Sequence, residues 1–232
     1  MNTILVCDDE RDIVSAIRIY LNGEGYRVLE AYSGVQALEL MARERVDLVL
    51  MVIMMPEMDG LSAVAKIRET SNVPVLFLSA KSEDTDKILG LNIGADDYIT
   101  KPFNPVELCA RVRSHLRRYI QLGGAAAQNG TVMRVGGIEL NDESKAVTLD
   151  GEPVSLTPLE YSILRLLMET PGKVFSSDEI YQAVWNDAPY GANATVAVHI
   201  RHLREKLEID PANPRYLKVL WGHGYKMEAD NG

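Results

Sequence analysis

The 232-residue sequence has few of the features that mark secreted or membrane proteins. Its two cysteines, Cys7 and Cys109, lie in apolar patterns, which predicts buried reduced thiols rather than a disulfide or a metal site. Its longest apolar stretch, residues 48–56, is less than half of the roughly 20 residues that a membrane-spanning helix needs. Acidic residues at positions 8–10 interrupt the first apolar run, unlike the pattern of a secretory signal. We therefore predict a soluble cytoplasmic protein without a membrane partner.

The sequence also lacks the excess of positive charge that is common in nucleic-acid-binding proteins. It carries 24 basic and 33 acidic residues, a net charge of -9. Residues 1–120 hold 14 basic and 18 acidic residues, and residues 121–232 hold 10 and 15. Neither half is basic, so any surface that binds the phosphates of a nucleic acid has to be local.

The first half of the chain alternates apolar runs with amphipathic stretches of helical period. The apolar runs TILVC, YRVLEA, DLVLMVI, VPVLFLS and DDYIT are typical of buried strands, and five amphipathic stretches follow them. Five strands alternating with five helices predict a parallel sheet with helices on both faces. The predicted fold class of residues 1–119 is therefore α/β, a flavodoxin-like (βα)5 domain.

The second half has a different pattern. Residues 120–131, with the small and polar stretch QLGGAAAQNGT, predict a flexible linker. Residues 132–229 contain short strands, then three helices, then two β-prone runs around Gly222-His223-Gly224. Thr157, Pro158 and Glu160 form a capping-box pattern at the start of the first of these helices. This order predicts a winged helix-turn-helix domain.

Polar residues are predicted to converge at one edge of the parallel sheet. Asp8 and Asp9 follow the first strand, Ser79 ends the fourth and Lys101 follows the fifth, so all of them reach the crevice where such folds bind ligands. Adjacent carboxylates favour Mg²⁺ at an open site, and Lys101 and Ser79 suit phosphoryl oxygens. The alternative is a loop with a helix cap and a solvated lysine. The third strand ends in Val52, which has no side-chain oxygen.

The chain resembles a two-component response regulator of the OmpR/PhoB class over residues 3–118 and 132–228. The matching motifs are VCDDE, MMPEMDG, LSAKSEDTDKILGLNIGADDYITKPFNPVELCARVRSHLRR, SLTPLEYSILRLL and TVAVHIRHLREKL followed by GHGYK. The resemblance implies a receiver domain over residues 1–119 and a DNA-binding domain over 132–229. It implies promoter DNA, a sensor histidine kinase, a second copy of the chain and RNA polymerase as partners. The sequence of the C-terminal half is most similar to those of VanR-type regulators.

In this family the phosphate-accepting aspartate stands four residues before the proline of MMP, and that position is Val52 here. Because valine can neither attack phosphorus nor bind a metal through its side chain, we expect no phosphorylation at position 52. Asp8, Asp9 and the backbone carbonyl of Met54 remain as the implied magnesium ligands, so Mg²⁺ should bind weakly. Asp59 is better explained as a turn or cap residue than as a substitute acceptor. The intact remainder of the site favours a single substitution over a long-degenerate receiver.

The resemblance also implies a switch and a dimer face. Ser79 and Tyr98 match the switch pair, Lys101 matches the phosphoryl-binding lysine, and Lys101-Pro102 matches a cis peptide bond of the family. The homodimer is expected through the fourth helix, the fifth strand and the fifth helix. The matching charged residues are Lys87, Asp96, Asp97, Glu107, Arg111 and Arg118.

The third helix of the second half is expected to read DNA. Its apolar face is predicted from Val196, Ile200, Leu203 and Leu207, which leaves the other face for the major groove. Base contacts are predicted for Val198, His199 and His202, and base or phosphate contacts for Thr195, Arg201 and Arg204. Residues 195–207 hold three basic residues and one acid. Further contacts are expected from Lys206 and Lys218 on phosphates, and from His223 and Tyr225 on the wing. Trp221 stands where many relatives have arginine, which casts doubt on minor-groove reading by the wing.

The leading hypothesis is a DNA-binding transcription factor, not an enzyme, that lacks the acceptor carboxylate. One alternative is a phosphorylation-independent regulator that binds DNA constitutively. Another is a magnesium-dependent enzyme of the aspartyl-phosphate type, which a phosphatase assay would detect. A third is a signalling scaffold that binds a kinase without binding DNA.

Overall fold

The computed structural model describes residues 1–80, 93–123, 132–185 and 192–228. The chain divides into two compact units, Met1–Tyr119 and Ile120–Gly232. None of the described helices combines the length and the apolar character that a bilayer crossing requires.

The first unit contains a five-stranded parallel sheet, as the sequence predicts. The strand order is β2-β1-β3-β4-β5. Strands β1 and β3 are buried along their whole length, which explains why their sequences are apolar at every position. The strands are β1 (Thr3–Cys7), β2 (Arg27–Ala31), β3 (Leu48–Val52), β4 (Val75–Ala80) and β5 (Asp97–Lys101).

Helices cover both faces of this sheet. They are α1 (Arg11–Gly23), α2 (Gly34–Arg43), α3 (Gly60–Thr70) and α4 (Pro105–Gly123). One apolar cluster joins the sheet to α1 and α4, and the other joins it to α2 and α3. The helix predicted over residues 84–95 lies mostly outside the described residues. Helix α4 corresponds to the fifth predicted helix, and it runs to Gly123, so the first residues of the predicted linker are helical.

The loop from β3 to α3 is fixed by its glycine and its cap. The Asp59 carboxylate accepts a hydrogen bond from the Ser62 amide at 2.7 Å and caps α3, the role that the sequence predicts. The Gly60 amide donates to the Ile53 carbonyl at 2.7 Å. A β-carbon at Gly60 would collide with the Val52 carbonyl oxygen, so only glycine allows the loop to approach the end of β3 this closely.

The second unit has the element order of a winged helix. Strands β6 (Val132–Val135), β7 (Ile138–Asn141), β8 (Ala146–Leu149) and β9 (Glu152–Pro153) form an antiparallel sheet. Helices α5 (Pro158–Glu169), α6 (Ser177–Trp185) and α7 (Ala192–Leu207) follow, and β10 (Leu217–Leu220) and β11 (Gly224–Met227) form the hairpin. One apolar cluster of this unit contains residues from all three helices and from the strands. The predicted capping box at Thr157 and Glu160 is present.

Candidate functional site

The carboxyl ends of β1 and β3 lie side by side. Cys7 pairs with Met51 across the two parallel strands, so Asp8 and Val52 are the next residues on neighbouring strands. Val52 also pairs with Leu78 of β4, immediately before Ser79. The register therefore places positions 8, 52 and 79 along the same edge of the sheet, as the sequence predicts.

Asp8 is fully buried, and its carboxylate makes one hydrogen bond and one ion pair. Oδ1 accepts a hydrogen bond from the Glu10 amide at 3.0 Å, and Oδ2 lies 2.7 Å from Nζ of Lys101. The same ammonium lies 3.1 Å from Oε1 of Glu10. Asp9 is exposed. The buried negative charge of the crevice is thus neutralised by a cation that belongs to the chain itself.

Val52 is 8 % exposed, and its side chain belongs to the apolar cluster on the α1 and α4 face of the sheet. The half-buried Met55 and Phe103 pack against the same cluster. The side chain therefore lies at the strand end beside Asp8 but extends the hydrophobic core to the rim of the crevice. It supplies no oxygen there.

The residues of the crevice fit a magnesium ion only in part. Within the described ranges, no group of three or more histidine, cysteine, aspartate or glutamate side chains is placed to hold a metal. Asp8 and Asp9 remain as carboxylates, and an incoming cation has to compete with Lys101 for Asp8. Met54 lies two residues beyond Val52 in the loop, and its side chain is exposed.

Burial makes the thiol beside this site unreactive. Burial, together with the charges of Asp8 and Asp9, raises the pKa of Cys7 to about 12. Both Cys7 and Cys109 are free and buried, as the sequence predicts.

The predicted switch residues occupy β4 and β5. Ser79 is buried and pairs with Thr100 in the sheet register, whereas Tyr98 is half-buried against the α2 and α3 cluster. The Lys101-Pro102 peptide bond is cis.

The two aspartates assigned to the dimer face are buried within the first unit and are not exposed on its surface. Asp96 accepts hydrogen bonds from Nη2 of Arg68 and from the Val75 amide, both at 2.8 Å. Asp97 lies 2.9 Å from Nη1 of Arg111 and 3.2 Å from Nε2 of His115. The physical reason is that a buried carboxylate needs partners, and α3 and α4 supply them within the chain.

The other predicted dimer-face residues lie on α4 or beyond the described ranges. Glu107 is exposed and pairs with Arg111 at 3.0 Å, and Arg118 is half-buried. Lys87 lies outside the described residues.

The environment of Asp97 has opposing effects on its pKa. Burial raises the pKa, but the hydrogen bond to His115 and the positive charge of Arg111 outweigh burial, so the pKa lies below its ordinary value. The carboxylate is therefore ionised, buried and paired.

Helix α7 buries a wider face than the sequence predicts. Four residues assigned to DNA contact are at most 8 % exposed: Thr195, Val198, His199 and His202. The His199 ring lies 5.6 Å from the Trp185 ring, and His202 is 3.9 Å from the Glu160 carboxylate. The prediction that these four side chains face solvent is wrong, because α7 packs against both α5 and α6 and its buried arc includes the stripe 195, 199 and 202.

The exposed side of α7 is formed by a different stripe. Asn193, Ala194 and Arg201 are exposed and Ala197 is half-buried, at the three- and four-residue spacing of one helix face. Nε of Arg201 pairs with Glu205 at 2.8 Å. This face begins with small side chains at the N-terminal end of the helix.

The remaining basic residues of the predicted DNA surface have partners within the unit. Arg204 donates from Nε and Nη2 to the Leu217 carbonyl, and Nζ of Lys206 lies 2.6 Å from Glu160. Nζ of Lys218 donates to the Pro214 carbonyl. On the wing, His223 is exposed and Tyr225 is half-buried.

Sequence reasoning missed a buried acid that joins α7 to the wing. Glu208 is 8 % exposed, and its two carboxylate oxygens accept hydrogen bonds from the amides of Arg215, Tyr216 and Leu217. The only sequence signal is a glutamate directly after the last apolar residue of the helix, which is also typical of a solvated helix end.

Both units match known protein families. Residues 4–113 match the response regulator receiver domain, and residues 151–227 match the C-terminal domain of transcriptional regulatory proteins. The regulatory protein VanR of Enterococcus faecium is 44% identical over 226 residues, which cover 97% of this chain and 98% of VanR.

Solved structures match across both units as well. A mutant of RitR has a TM-score of 0.76 at 25% identity, covering 99% of this chain and 100% of that one. The response regulator DrrB, a Thermotoga maritima OmpR/PhoB homolog, has a TM-score of 0.52 at 31% identity, with coverage of 99% and 100%.

Proposed function

The chain belongs to the OmpR/PhoB family of two-component response regulators, and from this membership we propose a DNA-binding regulator that phosphorylation at position 52 does not switch. Members of this family act with sensor kinases and bind promoter DNA through the C-terminal domain. The observation that carries the proposal is the register at the crevice, which puts an aliphatic side chain next to Asp8. A carboxylate nucleophile is absent at that position.

The Lys101–Asp8 ion pair supports the same proposal. In a buried site the ammonium of Lys101 stabilises the Asp8 carboxylate without a metal ion. Magnesium would be held by Asp8, Asp9 and the Met54 carbonyl, where it would supply positive charge for phosphoryl oxygens. With two carboxylates and a competing lysine, we propose weak binding of Mg²⁺ and no enzymatic turnover.

For DNA, we propose that the exposed stripe of α7 enters the major groove. Ala194 and Ala197 allow the helix backbone to approach base edges closely and offer methyl groups to thymine, while Arg201 can reach a guanine or a phosphate. The buried residues 195, 198, 199 and 202 hold the helix in place instead of reading bases.

A dimer through β5 and α4 is a further proposal. The exposed Glu107 already pairs with Arg111 within the chain. The buried Asp97 and Asp96 are likewise paired, with Arg111 and Arg68. Because exposed ion pairs contribute about 0–1 kcal/mol each, such a dimer should be weak without a phosphoryl group. RNA polymerase remains a proposed partner at the promoter.

The test compares two exposed arginines of the second unit, each of which pairs with a glutamate. Arg201 of α7 lies 2.8 Å from Glu205, and Arg134 of β6 lies 2.9 Å from Glu139. The probe is double-stranded DNA that the full chain enriches from a random-sequence pool. Arg201→Ala should weaken DNA binding. If Arg201 contacts a DNA phosphate, the loss of that contact should also make the slope of log association constant against log salt concentration shallower by about 0.9.

Arg134→Ala is the matched control and should leave both affinity and slope unchanged. If Arg201 reads a base instead, the slope stays the same and discrimination at one base pair falls by about 1–3 kcal/mol. Equal effects of the two substitutions would contradict the assignment of α7 as the reading helix.

A further inference from the structure

The end of α7 is fastened to the first strand of the wing hairpin. Glu208 directly follows the last residue of α7 and is 8 % exposed. One of its carboxylate oxygens accepts a hydrogen bond from the Arg215 amide at 2.6 Å. The other accepts from the amides of Tyr216 and Leu217, both at 2.8 Å. Three consecutive amides that lead into β10 therefore converge on one buried carboxylate.

The last turn of α7 holds the same strand through its carbonyl. Arg204 lies one helical turn before Glu208. It donates from Nε at 3.0 Å and from Nη2 at 2.8 Å to the Leu217 carbonyl. The amide and the carbonyl of Leu217 are thus both bound by side chains from the end of α7. We call Arg204 and Glu208 the α7 clamp.

The α7 clamp needs a carboxylate at position 208. Three amides that point at one side chain require acceptors and no donor, and an ionised glutamate offers two oxygens and no N–H. Hydrogen bonds from amides to a charged oxygen are roughly twice as strong as bonds between neutral groups. A glutamine has the same shape but replaces one oxygen by an NH2 donor, so it loses at least one of the three bonds.

The second strand of the hairpin is attached to a different element. Phe175 and Tyr225 exchange two backbone hydrogen bonds of 2.9 Å, which join β11 to the segment before α6. The Gly172 amide donates to the Met227 carbonyl at 2.8 Å. The side chain of Leu217 also belongs to the core of the unit. Loss of the α7 clamp therefore leaves the hairpin attached, but it removes bonds that set the position of β10 against the end of α7.

The charge of Glu208 is by itself unfavourable for DNA binding. A negative charge next to the reading helix repels the phosphates of a duplex, and residues 121–232 hold 10 basic against 15 acidic residues. Electrostatics alone therefore predicts tighter binding when this charge is removed. A role in positioning predicts weaker binding, so the two explanations differ in sign.

We propose that Glu208 is a positioning residue for DNA binding, which together with Arg204 holds the wing hairpin against α7 in the arrangement that a duplex requires. The proposal rests on the proposed function, because a duplex bound by α7 lies beside the hairpin that the clamp holds there. Glu208 contacts neither bases nor phosphates and acts through the amides of residues 215–217. Fixing two neighbouring elements before the duplex arrives removes the cost of ordering them during binding.

The first experiment measures duplex affinity with the full chain and DNA that it enriches from a random-sequence pool, at a temperature where circular dichroism shows each variant to be folded. Glu208→Gln should weaken binding about tenfold, because the hairpin then has to be ordered as the duplex binds. The salt slope should stay unchanged, because no phosphate contact is lost.

Asp210→Asn is the matched control for the lost charge. Asp210 is an exposed acid two residues beyond Glu208, and its carboxylate accepts from the Ala212 amide at 3.0 Å. The substitution removes the same charge as Glu208→Gln but leaves the α7 clamp in place. It should leave the affinity unchanged or raise it slightly.

The second experiment measures hydrogen exchange of single backbone amides. In the free Glu208→Gln variant the amides of residues 215–217 should exchange at least about tenfold faster, since their acceptor is disturbed. Bound duplex should slow this exchange again, a response that a purely structural role does not predict. The Tyr225 amide, which donates to the Phe175 carbonyl, is the internal reference and should not change.

Arg204→Lys tests the other half of the α7 clamp. Lysine keeps the positive charge but lacks the planar fork that donates two hydrogen bonds to one carbonyl. Binding should therefore weaken by a similar factor, with the salt slope unchanged. The double variant should lose less than the product of the two single losses, because both side chains hold Leu217. Arg204→Lys also carries the test if Glu208→Gln fails to fold.

The outcomes separate the inference from the function on which it rests. If Glu208→Gln binds the duplex as tightly as Asp210→Asn does, the inference is overturned and the proposed function stands. Faster exchange at residues 215–217 with unchanged affinity would also overturn it, since Glu208 would then serve the fold alone. If the full chain enriches no duplex at all, both the inference and the proposed DNA binding are overturned.

Discussion

The buried negative charge of the crevice is balanced by one ion pair, between Asp8 and Lys101. Asp8 is fully buried, and the ammonium of Lys101 is the cation that lies against it. In a receiver with an acceptor carboxylate, one more negative charge would share the same edge of the sheet. With Val52 in that place, the positive charge of Lys101 is matched to the one buried carboxylate, that of Asp8.

Removing this cation should make the first unit depend on magnesium. Lys101→Met leaves the Asp8 carboxylate buried without its partner, so we expect a loss of about 3 kcal/mol in the free energy of unfolding. Millimolar Mg²⁺ should restore part of that stability and have a smaller effect on the unsubstituted chain, in which Lys101 competes. The measurement is thermal unfolding with and without Mg²⁺. Lys66→Met, at an exposed lysine of α3, is the control, and an equal response to Mg²⁺ in all three proteins would refute the prediction.

A second prediction concerns pH and Asp97. Burial raises the pKa of Asp97, but the hydrogen bond to His115 and the charge of Arg111 bring it below its ordinary value of 3.8. A carboxylate with a lowered folded pKa contributes stability that is present above the unfolded pKa and is lost as pH falls through the folded value. Asp97→Asn should therefore cost about 3 kcal/mol at neutral pH, and the cost should shrink below about pH 4. Urea unfolding at a series of pH values measures it, and a constant difference down to about pH 2 would be inconsistent with an ionised buried pair.

At the scale of secondary structure, the strands of the first unit follow directly from the sequence. A strand buried on both faces is apolar at every position, and the runs at residues 3–7 and 48–52 meet that condition along their whole length. The caps are equally local, since Asp59 and Thr157 bond to amides three residues onward. Local patterns determine these features, so they could be predicted.

The burial of a side chain is predicted wrongly from the sequence where its environment depends on distant residues. The period of α7 is evident in the sequence, but the width of its buried face depends on Trp185 and Glu160, which belong to other helices. Asp96 is similar, because Arg68 is 28 positions away in the chain. Polar residues such as histidine and aspartate look exposed in a sequence until their partners are known.

The capping box of α5 gives a prediction for one helix. Thr157→Ala removes the side chain that accepts from the Glu160 amide and should lower the free energy of unfolding of the second unit by about 1 kcal/mol. Ser162→Ala on the same helix is the control, since its hydroxyl only bonds back to the Pro158 carbonyl and should matter little. Denaturant unfolding followed by the fluorescence of the buried Trp185 measures both. Equal losses from the two substitutions would show that the cap is not responsible.

For the whole molecule, the sequence predicts two fold types and their order along the chain, and both are confirmed by the domains that match. The net charge of -9 is a poor guide to nucleic-acid binding, because the DNA-binding domain is matched despite it. The three basic residues of α7 are also less available than the sequence indicates, since Arg201, Arg204 and Lys206 each contact a group of the same unit. Binding should therefore rely on shape and apolar contact to a larger extent than the count of charges in α7 suggests.

Intact-mass spectrometry after incubation with acetyl phosphate and Mg²⁺ tests the central claim, that the receiver lacks its acceptor because position 52 is valine. We predict no covalent phosphoryl group on the unsubstituted chain and one on Val52→Asp, located at position 52 by fragmentation, because the substitution places a carboxylate beside Asp8 and Lys101. A phosphoryl group on the unsubstituted chain would contradict the account, and so would the failure of a folded Val52→Asp variant to accept one.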